Sequence, residues 1–184
     1  MELLKPQLDL LPEYIDALKQ GWSPDNLRAE AAQEQLIKIE ADPHAFVSSL
    51  DDPLAKAGPV ILPDGSQVER LPSIRRWIWD RGFCGHISLR WQKGTEALPV
   101  TCSGHIGYSV LTARRGEGLA TAALKAILPE AKAQGLRYVE ITASPENPAS
   151  IRVIEKADGV LLKTYIAEPA LGGHETCLFR ISLS

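Results

Sequence analysis

The sequence predicts an α+β (α/β) fold: a mixed, mostly antiparallel central sheet flanked by helices. Three observations point to it. Apolar residues near the N-terminus recur at three-to-four-residue spacing, the period of a helix buried on one side. The middle of the chain carries two alternating runs rich in Ile and Trp, SIRRWIWD (73–80) and GHISLRWQ (85–92), separated by Arg81-Gly82-Phe83. This is the pattern of an antiparallel hairpin. The C-terminal half then reads strand, glycine turn, long helix, strand, helix, strand, strand. A strand–helix–strand unit implies one parallel pair within the otherwise antiparallel sheet.

Composition narrows the class. The chain has 184 residues, 45% hydrophobic and 23% charged, enough to bury a core in one domain. Its formal net charge of −3 leaves no basic footprint for nucleic acid. No apolar run approaches the roughly 18–20 residues of a membrane span. The first residues lack the apolar core and small-residue cleavage site of a secretory leader. Three cysteines without CxxC spacing read as thiols in a reducing cytoplasm, and four scattered histidines suggest no metal site.

The elements follow in order. Leu8, Leu10, Leu11, Tyr14, Ile15 and Leu18 predict a first helix, stopped at Gly21. Ser23-Pro24-Asp25 reads as a cap with proline at the first helical position, opening a helix over 26–40 on Leu27, Ala31, Leu36 and Ile39. Asp42-Pro43 ends it, and one more short turn covers 44–50. Strands begin at 60–62, with Pro63-Asp64-Gly65 as a turn signal, and resume at 73–80, 85–92 and 104–110. A long Ala- and Leu-rich helix follows, with Leu119, Ala122, Ala123, Ala126, Ile127 and Ala131 on one face. Pro129 removes one helix hydrogen bond, so a kink rather than a break is expected there. Strand 138–143, helix 149–157 and a closing hairpin of 160–167 with 176–182 around Gly172-Gly173 complete the chain. No linker divides it, so residues 1–184 form one domain, with N-terminal helices over about 8–50 and a sheet-bearing core over about 58–184.

The chemically informative stretch lies between strand 104–110 and the long helix: Ala113-Arg114-Arg115-Gly116-Glu117-Gly118. The first N–H groups of a helix have no partner inside it, and the helix dipole favours negative charge there. A glycine turn at that place is an anion cradle. Only two glycines stand in G-x-G spacing and no Gly-Lys-Ser/Thr follows, which excludes the dinucleotide fingerprint and the P-loop.

Arg115-Gly116-Glu117-Gly118-Leu119-Ala120 resembles the R/Q-x-x-G-x-G/A signature of the GCN5-related N-acetyltransferases. Asn147-Pro148-Ala149-Ser150-Ile151-Arg152-Val153-Ile154-Glu155-Lys156 is similar to that family's second block. The likeness covers about 71–182, and is nearest to a subgroup with His-Ile-Gly-Tyr-Ser-Val (105–110) on the fourth strand. The fold it implies is the acyl-CoA N-acyltransferase fold, and the cofactor is acetyl-CoA, leaving as CoA.

The resemblance also implies roles. Backbone amides of Arg115, Gly116, Glu117, Gly118, Leu119 and Ala120 would hold the pyrophosphate, with Thr121 adding a hydroxyl and Arg115 a charge-assisted contact. Arg114 reads instead as a solvated surface residue. Edge amides of Ser109, Val110 and Leu111 would pair with the pantetheine arm. Asn147 and Ser150 would reach the cofactor, although Asn147 equally reads as the cap of the helix that follows.

The reaction so implied is attack of a primary amine, on a small molecule or a protein, on the thioester in a ternary complex. It calls for a base to take the ammonium proton and an acid for the departing thiolate. Relatives place a tyrosine seven residues after the Asn, where this chain has Ile154. Tyr165 and Tyr108 are the candidate acids, and Glu140 and His105 the candidate bases. Each has a plainer reading: sheet packing for Tyr108 and His105, a solvent-facing position for Glu140. The missing tyrosine admits an alternative, a non-catalytic acyl-CoA-binding module. The amine acceptor is unidentified, neither nucleic acid nor membrane is expected as partner, and a homodimer is possible through exposed strand edges. Trp77, Trp79 and Trp91 read as packing residues, with one alternatively in the acceptor cleft.

Overall fold

The computed structural model describes residues 1–62 and 64–183, so Pro63 of the expected turn lies outside the described residues. The strands are β1 (Glu2–Leu4), β2 (Val60–Ile61), β3 (Gln67–Val68), β4 (Ser73–Trp79), β5 (Phe83–Arg90), β6 (Ile106–Val110), β7 (Tyr138–Ala143), β8 (Val160–Ile166) and β9 (Glu175–Ser182). The helices are α1 (Leu11–Lys19), α2 (Ala31–Ala41), α3 (Pro43–Ser49), α4 (Leu119–Ala133) and α5 (Pro148–Glu155). The architecture is α+β, with antiparallel sheets flanked by helices.

The strands form a sheet β1-β4-β5-β6, a sheet β7-β9-β8 and a small β2-β3 hairpin. Each of their pairings is antiparallel. The expected parallel pair of β6 and β7 is therefore not a ladder among the described residues. The two sheets meet around 103–105 and 140–142, where the His105 N–H donates to the Glu140 carbonyl at 2.7 Å and the Glu140 N–H donates to His105 Nδ1 at 2.9 Å. Gly104 makes that approach possible. It sits at φ +137, and a Cβ there would lie 2.9 Å from the Glu140 carbonyl oxygen. Past this contact the edge of β6 has no strand partner among the described residues.

Period-two alternation explains what the β4-β5-β6 sheet covers. Register places Arg75 opposite Ser88, Trp77 opposite His86, and these in turn opposite Gly107 and Ser109. The other face carries Ile74, Ile87, Leu89, Ile106 and Val110, packed in one core with Leu124 and Ile127 of α4 and Ile154 of α5. The first face holds a second, aromatic core. Tyr14 of α1 stacks on Trp77 with centroids 5.0 Å apart, and Trp22 and Phe83 meet it edge-on. Trp77 is thus a packing residue.

Several local expectations are corrected. Helix α2 starts at Ala31, not at 26, because side chains engage the preceding backbone: Asp25 Oδ1 accepts from the Leu27 N–H and Ser23 Oγ donates to the Arg28 carbonyl. Leu27, assigned to the helix face, is exposed. Strand β1 is too short to show a period, and its place is fixed only by pairing with β4. Helix α4 runs through Pro129 as one element, but its buried stripe is Leu119, Ala123, Leu124, Ile127 and Ala131, while Ala122 and Ala126 face outward.

Candidate active site

The turn before α4 is built by its glycines. A single 3-10 turn (Thr112–Arg114) leads to an extended Arg115, and then Gly116 and Gly118 take φ +85 and +79. Those left-handed values are what exclude other residues there, since a Cβ at either would meet nothing within 4 Å. Gly118 caps α4 without any side-chain hydrogen bond, and the first bond within the helix is Ala122 N–H to the Gly118 carbonyl. The amides of Gly118, Leu119, Ala120 and Thr121 are therefore unclaimed by the helix.

Arg114 and Arg115 differ sharply. Arg114 is no solvated side chain: it donates to Asp80 Oδ2 at 2.8 Å, to both Glu117 oxygens and to the Asp80 carbonyl. This clamp ties the turn to the end of β4, and the Arg114 hydrogen bond is the main reason the Asp80 carboxyl is held below its usual range. It also occupies the Glu117 side chain. Arg115 is exposed and makes one long contact, Nε to the Val110 carbonyl at 3.4 Å.

Beside this turn runs the edge of β6. The Leu111 N–H donates to the Cys84 carbonyl, and two-residue alternation directs Ser109 toward β5 as well. Of the three expected edge amides, only Val110 faces outward, and Tyr108 joins it. Ser109 has another job. Its Oγ accepts from Trp22 Nε1 at 2.9 Å and donates to the Ser23 carbonyl, pinning residues 22–26 along β6. Asn26, which carried no sequence motif, donates from Nδ2 to the Tyr108 carbonyl at 2.9 Å.

Helix α5 starts across the gap. Asn147 Oδ1 accepts from the Ser150 N–H at 3.0 Å, so the capping role is realised. The Tyr108 hydroxyl lies 3.1 Å from Ser150 Oγ, and burial raises its pKa. Ile154 is fully buried beneath this helix, pointing into the core and not into the gap. The candidate bases are both occupied: Glu140 accepts from Arg180 at 2.6 Å, and His105 is fully buried. Burial lowers the His105 pKa, and the Glu140 charge opposes that shift. Tyr165 is half-buried on the cleft wall, its pKa raised by burial and then by Glu140.

A cleft of about 660 Å³ joins these parts. Tyr108, Asn147 and Ser150 line it, and so do Arg75, His86 and Arg90 from β4 and β5. The last three escaped sequence reading. Their one signal was period-two placement on the face shared with Trp77, which cannot say where helices leave that face uncovered.

A split antiparallel sheet, with a glycine-turned helix start at the edge of the opening, defines an acyl-CoA-type transferase fold. Residues 66–160 match the family model described as an acetyltransferase (GNAT) domain. The chain belongs to the GNAT acetyltransferase family. No curated protein sequence matches it. Among solved structures it is similar to the microcin C7 self-immunity acetyltransferase MccE in complex with acetyl-CoA and AMP, at 13% identity and TM-score 0.63 over 98% of this chain and 91% of that one. It is also similar to a spermidine N-acetyltransferase SpeG chimera from Vibrio cholerae and hSSAT, at 12% identity and TM-score 0.59 over 100% and 97%. A GNAT-family acetyltransferase from Bordetella pertussis aligns at 14% identity and TM-score 0.57 over 98% and 94%.

Proposed function

We propose that this chain is one acetyltransferase domain that moves the acetyl group of acetyl-CoA to a primary amine by direct attack in a ternary complex. The observation that carries the reading is the set of unclaimed amides at the start of α4, Gly118 to Thr121, beside the unpaired edge of β6. Amides so arranged, with the exposed Arg115, suit a pyrophosphate. The outward N–H of Val110 suits the amide-bearing pantetheine arm as an added strand. The acetyl-CoA bound in the MccE structure supports the same cofactor here.

The amine nitrogen attacks the thioester carbonyl, its proton leaves, and the C–S bond breaks to release a thiolate that must be protonated. Tyr108 is the acid we assign. Burial keeps its hydroxyl protonated, and Ser150 orients it from the helix whose Ile154 has replaced the family tyrosine. Glu140 and His105 are too tightly held to serve as direct bases, so alignment and loss of the ammonium proton to water carry that half of the reaction.

Calorimetric titration with acetyl-CoA, followed by thiol detection across an amine panel, tests the reading. No heat at near-millimolar acetyl-CoA would end it. Binding without thiol release from any amine would favour a non-catalytic CoA-binding module. We place the protein in the cytoplasm, in keeping with its three free cysteines. A homodimer through the edge strand β8, where Val160, Leu161, Leu162 and Ile166 are exposed, is the assembly we favour, and sedimentation would decide it.

A further inference from the structure

The net charge of −3 suggests affinity for cations, but the cleft wall carries the opposite sign. Arg75 of β4 and Arg90 of β5 are on the same sheet face, Arg90 opposite Ser73 and Arg75 opposite Ser88, which makes them diagonal neighbours. Among the described residues neither has a carboxylate partner, whereas Arg28, Arg70, Arg76, Arg114, Arg137 and Arg180 each have one. Arg90 spends its Nε on the Gly104 carbonyl at 2.7 Å. Arg75 Nη1 is buried with no hydrogen-bond partner, and so is Nδ1 of His86 on the same wall.

The carboxylates around the cleft are accounted for. Asp25 accepts from the Leu27 N–H, Glu34 accepts from Arg28, and Glu69 is exposed at the rim. A guanidinium does not lose its proton in a protein, so Arg75 remains a cation in a desolvated place. Such a group is retained at a cost unless something anionic completes it. Gly107 adds room: it stands opposite Ser88, and a Cβ there would lie 3.0 Å from Arg90 Nη2. The polar strip Arg75, Ser88, Arg90 thus shares one cleft with Tyr108, Asn147 and Ser150.

We infer that the acceptor is a small amine that also carries an acidic group, a carboxylate or a phosphate, which Arg75 and Arg90 bind while the amine is presented toward Tyr108. The inference rests on the transferase reading above. A planar fork suits either oxyanion, and a polyamine would meet like charge.

Matched pairs test it: β-alanine against propylamine for the carboxylate, and phosphoethanolamine against ethanolamine for the phosphate, with spermidine as the cationic control. Each is measured by thiol release and by calorimetry on the CoA-loaded protein, in the natural chain and in Arg75→Met and Arg75→Lys. The expected result is at least about a tenfold preference in kcat/KM for one acidic member over its neutral match, lost in Arg75→Met and partly kept in Arg75→Lys, with acetyl-CoA affinity unchanged. Equal use of both members, a preference that survives Arg75→Met, or spermidine as the better acceptor would overturn it. If no amine releases thiol, the transferase reading fails separately. Arg75-dependent heat from an acidic amine would then still support the anion site, and absence of that heat would refute it.

Discussion

The Tyr108 hydroxyl stands 3.1 Å from Ser150 Oγ, linking the edge strand of one sheet to the first turn of a helix packed against the other. This contact crosses the opening between the sheets, at the place where the reacting thioester is proposed to lie. That hydroxyl is the one we propose in place of the acid that Ile154 cannot supply.

Replacing Tyr108 by Phe removes that hydroxyl and keeps the ring. Turnover should fall by about 100-fold, the low end of what a positioned acid contributes. The KM for acetyl-CoA should change little, and stability should drop by no more than about 1 kcal/mol for the lost hydrogen bond. Thiol-release kinetics beside a thermal melt measure both, and unchanged turnover would reduce Tyr108 to packing.

Restoring the family tyrosine with Ile154→Tyr should not raise activity. Position 154 is fully buried, and its Cγ2 lies so close to Gly159 that a Cβ there would stand 2.4 Å from it. The larger ring would overpack the core at a cost of about 1–3 kcal/mol, with an unpaired hydroxyl besides. Denaturant melts and single-turnover rates would expose the opposite outcome, a stable variant that gains rate.

Two glycine substitutions should separate binding from folding. Gly118→Ala forces alanine to φ +79 but meets no neighbour, so its stability cost should be about 1–2 kcal/mol while acetyl-CoA affinity falls at least tenfold. Gly85→Ala would set a Cβ 2.8 Å from the Val110 Cα between two paired strands, and should prevent stable folding. Calorimetry and soluble yield, respectively, report these effects.

Stability should fall on mild acidification. His86 is held well below the ordinary histidine value, first by burial and then by Arg75, and His105 is lowered chiefly by burial. Both are neutral in the folded chain, while in the unfolded chain they take up protons below about pH 6.5. Their contribution is thus complete above about 6.5 and lost as pH falls toward the folded values, by at most about 1.4 kcal/mol per pH unit for each histidine. Urea melts at pH 7.5 and 5.5 should show this slope, and His86→Gln should remove about half of it. A flat profile would contradict the burial of these rings as neutral groups.

The sequence by itself determined the elements with strong periods and the glycine turn proposed to hold the cofactor. The hairpin β4-β5, the pair β8-β9, helix α4 and the Asn147 cap all rest on local chemistry: alternation, glycine at positive φ, and a side-chain oxygen near a helix start. The glycine turn and the start of α4 were legible for that reason, but the sequence pointed to the amides of Arg115 to Ala120, and the structure shows that those the helix leaves unclaimed are Gly118 to Thr121. Tertiary structure alone decided the rest. It turned Arg114 from a surface residue into a clamp on Asp80, directed Ser109 to Trp22, occupied Glu140 with Arg180, and left Arg75 Nη1 buried without a partner beside the cleft. Alternation assigns a strand residue to a face but not to the helix or the opening that faces it, and that depends on contacts between residues distant in the chain. Even the parallel pair implied by strand–helix–strand order gave way to a gap: Gly104 permits the contact at His105 and Glu140, no β6–β7 ladder continues beyond it among the described residues, and the proposed site occupies the space that this divergence opens.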